Sequence, residues 1–388
     1  MSQRADIIIV GAGIVGAACA AECARAGLKV LLLDRGPIGG GATGAGMGHL
    51  VVMDDSPAQF ALTLYSRQLW GRLAPELPAE AEYDRCGTLW VAADEQEMAG
   101  VRLKERFYRE RGVSVEALDA AALARAEPNL RRDLAGGLRV ADDAVVYPPG
   151  AARFLVESAV AAGGHLEVRL GVTATSLGDD GSVTLADGGK LSAACVVNAA
   201  GCWAPLLEPG LPVRKRKGHL VITDRYPGFV RHQIVELGYL KSAHDVAADS
   251  VAFNIQPRKT GQMLIGSSRE FGAEGSEVDQ AILERMLRRA FEYLPGLNRL
   301  SAIRCWTGHR AATPDKLPFI GPRVQSERVW LATGHEGLGI TMSLATGRLL
   351  ADSMLKRKPE IPAEPYLPAR LARGRGGRDE GRGRRDEA

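Results

Sequence analysis

The chain has 388 residues, 46% of them hydrophobic, and 49 basic against 46 acidic side chains give a net charge of +3. Such a composition supports a sizeable core in two domains or one large composite domain, and it excludes a fibre, a disulfide scaffold and a wholly disordered chain. The excess charge sits at the end of the sequence, where seven Arg face four acids between Arg370 and Ala388. Gly and Arg without apolar residues cannot build a core, so residues 368–388 are expected to form a disordered, solvated tail. A basic tail could touch nucleic acid or anionic lipid, but the solvated end is the commoner case, and no nucleic-acid partner is expected.

Six cysteines, Cys19, Cys23, Cys86, Cys195, Cys202 and Cys305, are scattered without a C-x-x-C pair. That fits small buried hydrophobes better than a metal or redox site. Met1 to Asp6 runs straight into a strand, and no uncharged apolar run reaches the roughly 18 residues that a membrane span needs. The expectation is a cytoplasmic protein without a transmembrane segment, with peripheral contact at the inner face of the membrane left open.

In chain order, Ile7 to Val10 is a short apolar run, read as a buried parallel strand. It leads into Gly11-Ala12-Gly13-Ile14-Val15-Gly16, a G-x-G-x-x-G fingerprint, followed by a helix-prone stretch from Ala17 to Ala26 and a second strand, Lys29 to Leu33, ending at Asp34. Gly11 permits the tight turn, Gly13 lets the backbone approach a pyrophosphate, and Gly16 lets helix and strand pack closely. The diphosphate is expected on the helix N-terminus at Ile14 and Val15, and Asp34 is placed to bond the adenosine ribose hydroxyls. After Arg35 comes a long small-residue loop, Gly39 to Gly48, with Thr43 inside it. An NAD domain would continue its regular βαβ pattern there, whereas such a loop suits an extended cofactor, so FAD is favoured.

A helix from Ala151 to Ala162 and a strand near Leu166 to Leu170 follow, with Val172 just beyond counted as a cofactor contact. Asp187-Gly188-Gly189 reads as a hairpin turn between Val183–Leu185 and Leu191–Val197. The stretch from Leu191 to Ala200 reads as one strand whose end, with Gly201 and Trp203, returns backbone to the ligand. Met263 to Gly266 reads as a strand and Ala281 to Tyr293 as an amphipathic helix. Near the end, Val329 to Thr333 is a strand that runs into a glycine-rich turn and then a helix through Met354. Gly334, Gly337, Leu338, Gly339, Ile340 and Thr341 in that turn are candidate contacts, where a helix N-terminus would stabilise negative charge on a reduced flavin.

These stretches together resemble the D-amino-acid oxidase-like family of FAD-dependent oxidoreductases, which includes glycine oxidase, sarcosine oxidase and bacterial D-amino-acid dehydrogenases. The resemblance runs to about Leu367, and its most specific portion is Trp306 to Pro322, which looks like the family's G-x-R-x-x-T-P-D-x-x-P-x-I-G segment. Within the family, Gly46 to Asp55 looks closest to the flavin-bearing beta subunits of bacterial proline and D-hydroxyproline dehydrogenases. One departure follows Gly334-His335: several oxidases of the family carry a further basic residue there, whereas this chain has Glu336-Gly337-Leu338-Gly339, so a second cationic contact to the substrate is not implied.

The resemblance implies an α/β fold in which a composite, Rossmann-like FAD-binding domain (1–48, 143–213 and 306–362) joins an α+β substrate domain on an antiparallel sheet (49–142 and 214–305). It implies that Arg310 grips the substrate carboxylate above a non-covalent FAD. A guanidinium suits that task because its planar fork holds a carboxylate at two points; the plain alternative is an Arg paired with a loop acid such as Asp315. His49, His219 and His309 are candidates to line the site and Tyr239 to cap it, although a hydrogen-bonded structural role is the commoner one for each. The expected reaction is hydride loss from a small amino acid or secondary amine resembling D-proline or cis-4-hydroxy-D-proline, giving an imine. The electrons would pass to a partner, an iron–sulfur subunit or a second flavoprotein, and Arg214-Lys215-Arg216-Lys217 is a candidate docking patch, although a solvated loop is the commoner explanation of such a run. The alternatives are a peroxide-producing glycine, sarcosine or D-amino-acid oxidase, and a non-catalytic flavin subunit of an electron-transfer complex.

Overall fold

The structure, a computed structural model, describes residues 5–238 and 250–373. Its first sheet has the order Phe319–Arg323, Ser326–Thr333, Cys195–Asn198, Ile7–Val10, Val30–Asp34, Leu166–Leu170. Five of these strands run parallel, and the edge strand Phe319–Arg323 is antiparallel to its neighbour. The central strands are continuous apolar runs because both faces are covered. Ile7, Ile9, Val30 and Leu32 join a core built with the helices Ile14–Arg25, Pro148–Ala161 and Gly339–Met354. Ile8, Val10, Leu31 and Leu33 pack with Val183 and Ala193 on the other side, beside a small sheet of Ala174–Leu177, Ser182–Leu185 and Lys190–Ser192.

The strand expected from Leu191 to Ala200 is two strands. Lys190–Ser192 pairs with Ser182–Leu185 across the hairpin turn, whereas Cys195–Asn198 lies parallel to Ile7–Val10 in the main sheet. Ala193, fully buried, marks the step between them. One apolar stretch thus serves two sheets, which an unbroken hydrophobic pattern cannot reveal.

The second sheet has eight strands, in the order Ala302–Ala312, Arg214–Thr223, Met263–Phe271, Ser250–Pro257, Gln233–Glu236, Thr88–Ala92, Gly136–Val140, Val115–Asp119. All neighbours are antiparallel except Gln233–Glu236 and Thr88–Ala92. The amphipathic helix Gln280–Tyr293, capped by the Asp279 carboxylate on the Ile282 N–H at 3.0 Å, buries Met286, Ala290 and Tyr293 against Val221, Phe253 and Ile265. The two-residue period of a strand then sends Arg216, Gly218, Leu220 and Asn254 to the opposite face, which borders the site described below.

Four details depart from the sequence expectations. Ala302–Ala312 is hydrogen-bonded along its length to Arg214–Thr223, so residues from Trp306 to Ala312 belong to the second sheet and not to the first. The helix Pro57–Leu73, capped by Ser56, packs on Gly339–Met354 of the first core, its Trp70 Nε1 donating to the Ile340 and Thr341 carbonyls at 3.2 Å each. The beginning of the 368–388 segment is docked: Arg370 forks onto Asp315 at 2.6 and 3.0 Å and lies 4.3 Å from the Phe319 ring centre, while residues 374–388 fall outside the described ones. The run from Arg214 to Lys217 is a strand, so its side chains alternate; Lys215 pairs with Glu274, Arg216 with Glu336 and Lys217 with Glu270, which breaks up the expected basic patch. No helix among the described residues is long and apolar enough to cross a membrane.

Candidate active site

A cavity of about 480 Å³ runs between the two sheets and collects residues from both. One end is built by the first strand and helix. Gly11 turns the chain at φ +115°, and a Cβ there would lie 2.4 Å from the Ala199 carbonyl; a Cβ at Gly16 would lie 1.7 Å from the Gly11 carbonyl. The helix Ile14–Arg25 starts from Gly13 without a side-chain cap of its own, and its Ile14 N–H donates to the Thr43 hydroxyl at 2.9 Å. Asp34 accepts the Ala12 N–H at 2.6 Å and the Gly36 N–H at 2.7 Å, which fixes its carboxylate at the cavity wall. The Arg35 guanidinium stacks 4.4 Å from the Trp203 ring centre. Val172, whose N–H donates to the Asp34 carbonyl, completes this end with Ala200 and Gly201.

The middle is enclosed by the Gly46–His49 loop and by the N-terminus of the helix Gly339–Met354. That helix begins at Leu338 without a side-chain cap, and Gly337, Leu338, Gly339 and Ile340 line the cavity with Gly334. Its first-turn N–H groups form an anion-favouring end. Thr341 faces elsewhere: fully buried, its hydroxyl donates to the His49 carbonyl at 2.8 Å and accepts the Val51 N–H at 3.3 Å. It is therefore a clamp on the loop and not a lining residue. The His49 ring does line the cavity, its Nε2 buried without a hydrogen-bond partner among the described residues. Burial brings its pKa down to about 4, so the ring is neutral at physiological pH. His335, held by the Thr346 hydroxyl at 3.0 Å, is brought down to about 3 by burial.

The far end is the face of the second sheet. Arg310 lies across Gly218, where a Cβ would sit 2.3 Å from its Nη1, and beside Gly337, where a Cβ would sit 3.2 Å from its Cδ. Its Nη1 donates to the Ser268 carbonyl at 2.9 Å and reaches the Lys217 carbonyl at 3.5 Å. Neutral carbonyls thus hold one end of the guanidinium, and the acid once considered for it, Asp315, is engaged by Arg370. Arg310 lines the cavity with Trp90, Gln233 and Asn254.

The remaining candidates divide. His219 points to the other side of the sheet, its Nδ1 2.8 Å from the Ser268 hydroxyl and its Nε2 accepting the Asp279 N–H at 2.9 Å; its role is structural. His309 lines the cavity, although its Nε2 is 3.2 Å from the Ala273 carbonyl. Tyr239 lies outside the described residues. Sequence reading missed the buried ion pair between Arg216 and Glu336, both of which line the cavity. Strand alternation across 214–217 was the signal that could have singled out Arg216.

This geometry can be set beside known proteins. The family described as FAD dependent oxidoreductase, abbreviated DAO, matches residues 6–353. The chain belongs to that family. Glycine oxidase of Pseudomonas aeruginosa is 30% identical over 384 residues, covering 95% of this chain and 99% of its own length. The crystal structure of glycine oxidase from Geobacillus kaustophilus superposes with a TM-score of 0.84 at 26% identity, covering 95% of this chain and 99% of that one. L-Proline dehydrogenase from P. horikoshii shares the fold, with a TM-score of 0.86 at 22% identity and coverage of 96% and 99%.

FAD is the cofactor of this protein, and the cavity fits it. The glycine turn at Gly11 and Gly13, the uncapped helix start and the Asp34 carboxylate match an adenosine diphosphate. The second uncapped helix start and the unpartnered Nε2 of His49 suit a flavin ring with hydrogen-bonding edges.

Proposed function

We propose that the chain oxidises a small amino acid or amine of the size of glycine or sarcosine, taking two electrons from the carbon–nitrogen bond and releasing an imine. The observation that carries this reading is Arg310, laid over Gly218 and Gly337 at the point where the cofactor cavity meets the second sheet. Its fork binds the substrate carboxylate and so fixes the amine-bearing carbon towards the Gly46–His49 loop. Bound FAD supplies the acceptor for the hydride lost from that carbon. The N-terminus of the helix Gly339–Met354 favours negative charge developing beside it. His49, neutral above about pH 4, contributes a hydrogen bond without adding a cation. Met47, Trp90 and Leu220 exclude water from the same space.

The curated glycine oxidases support a glycine-type substrate and oxygen as acceptor over the cyclic D-amino acid and partner subunit suggested by residues 46–55. The cofactor is held non-covalently in this reading. Cys305 is exposed, and Cys202, at the adenosine end, has a thiol pushed up to about 11 by burial. The test is aerobic turnover of glycine, sarcosine, D-alanine and D-proline with peroxide as readout. Peroxide formed from glycine or sarcosine, and lost in Arg310→Gln with FAD still bound, is the expected result. Turnover of D-proline alone, visible with an artificial acceptor but not oxygen, would return the assignment to a dehydrogenase.

A further inference from the structure

Two side-chain amides on the cavity face of the second sheet have oxygens that the protein leaves unused. Gln233 and Asn254 are 2% and 5% exposed, and both line the cavity. Gln233 Oε1 and Asn254 Oδ1 have no hydrogen-bond partner among the described residues, which is uncommon for buried polar atoms. The two stand close in the sheet. Val235 is opposite Asn254 across the antiparallel strands Gln233–Glu236 and Ser250–Pro257, so Gln233 is the diagonal neighbour of Asn254 on the same face. Diagonal neighbours are about 7–8 Å apart, a gap that long side chains can close.

The Asn254 amide is oriented by its other end, where Nδ2 donates to the Ser267 hydroxyl at 3.3 Å. Its oxygen is set among apolar groups. A Cβ at Gly266, the cross-strand partner of Asn254, would lie 2.9 Å from Asn254 Oδ1, 2.9 Å from Leu220 Cδ2 and 3.2 Å from Met47 Sδ. The glycine lets these three atoms crowd together, and neither Leu220 nor Met47 has a side-chain hydrogen bond to donate. A water there would find few of the two to four polar partners that it needs. Trp90, in the same row of the sheet as Val235 and Asn254, leaves its Nε1 unpartnered among the described residues as well. Two acceptors and a donor on one cavity face suit an amino acid, which has N–H groups for the first and carboxylate oxygens for the second.

We propose that Asn254, with Gln233 beside it, binds the amine of the substrate, the amide oxygens accepting its N–H groups and so positioning the carbon that carries it. A neutral acceptor suits this task. Hydride is lost from the unprotonated amine, and a carboxylate in the same place would favour the ammonium form. The inference rests on the reading of the cavity as a site of amine oxidation, and its test separates the two.

The FAD-loaded protein is titrated without oxygen with glycolate and with fluoroacetate, following the perturbation of the flavin absorption. Both acids carry the carboxylate of glycine. Glycolate has an O–H in place of the amine, whereas fluoroacetate has a similar outline and no hydrogen to donate. Wild type is expected to bind glycolate about threefold to tenfold more tightly, the range of one net hydrogen bond. Asn254→Leu is expected to lose that preference while keeping its FAD and its affinity for fluoroacetate, and Gln233→Met to reduce the preference. The wild-type comparison needs no variant, so it stands should Asn254→Leu fail to fold. Wild type binding the two acids equally, or a folded Asn254→Leu that keeps the preference, overturns the proposal. A preference for glycolate that depends on Asn254, in a protein whose flavin no amine bleaches, overturns the amine-oxidation reading instead and leaves Asn254 as the acceptor for a different donor.

Discussion

Arg310 and Asp34 are each held by backbone groups, and both line the cavity. Arg310→Lys keeps the charge and loses the fork, so it is expected to raise KM for the amino acid about tenfold or more, with the flavin spectrum unchanged. Steady-state kinetics checks this, and an unaltered KM would remove the two-point grip. Asp34→Ala is expected to weaken FAD about tenfold to a hundredfold in an apoprotein titration, from the loss of charge-assisted bonds to a ribose. His335 gives a pH prediction with a definite sign. Burial lowers its pKa from 6.5 to about 3, so between those values the unfolded chain takes up a proton that the native chain refuses. Stability contributed this way is present above pH 6.5 and falls as pH drops towards 3, by up to about 1.4 kcal/mol per pH unit. Urea unfolding at pH 7 and pH 5 should therefore show a smaller loss in His335→Gln than in wild type. At this scale the places of Asp34 and Arg310 at the cavity were legible, Asp34 from the fingerprint that precedes it and Arg310 only through the family resemblance of Trp306 to Pro322. Arg216 and Glu336 were not, because their pairing depends on a strand and a distant loop that meet only in the folded chain.

Elements were read well where their pattern answered to one environment. Ile7–Val10, Val30–Asp34 and Leu166–Leu170 lie within a residue of expectation, and the helix Gln280–Tyr293 follows its amphipathic stripe. The errors fall where one stretch has two surroundings. The break at Ala193 divides an apolar run between two sheets, and Trp306 to Ala312, assigned to the FAD-binding domain, hydrogen-bonds into the second sheet. Thr341 was taken for a cofactor contact from its place at a helix start, yet its hydroxyl serves the backbone of His49 and Val51. Thr341→Val keeps the shape and leaves the buried Val51 N–H unpaired, at a cost of about 1–3 kcal/mol. Thermal or urea unfolding of the FAD-free protein checks this, and an unchanged midpoint would show that the clamp carries no stability.

Among the described residues the two large sheets meet over the FAD cavity, with an adenosine-type cradle at one end and a guanidinium at the other. The α/β class and the second sheet came from the family resemblance, and the cofactor from the glycine fingerprint and its flanking loop. The substrate was not. The pocket proposed for it is lined by Trp90, Arg216, Gln233, Asn254 and Arg310, which lie on separate strands of one sheet face. Only the register between those strands brings them together, and local patterns carry no register. The central claim, that this cavity places a small amino acid against FAD for oxidation, is tested most directly by adding glycine and sarcosine to the purified FAD-loaded protein without oxygen. The account predicts that the visible flavin band bleaches with one of them and that Arg310→Gln, with its FAD in place, does not bleach at the same concentration. A band that stays oxidised with every small amino acid and amine supplied, or a variant that bleaches as readily as wild type, would contradict it.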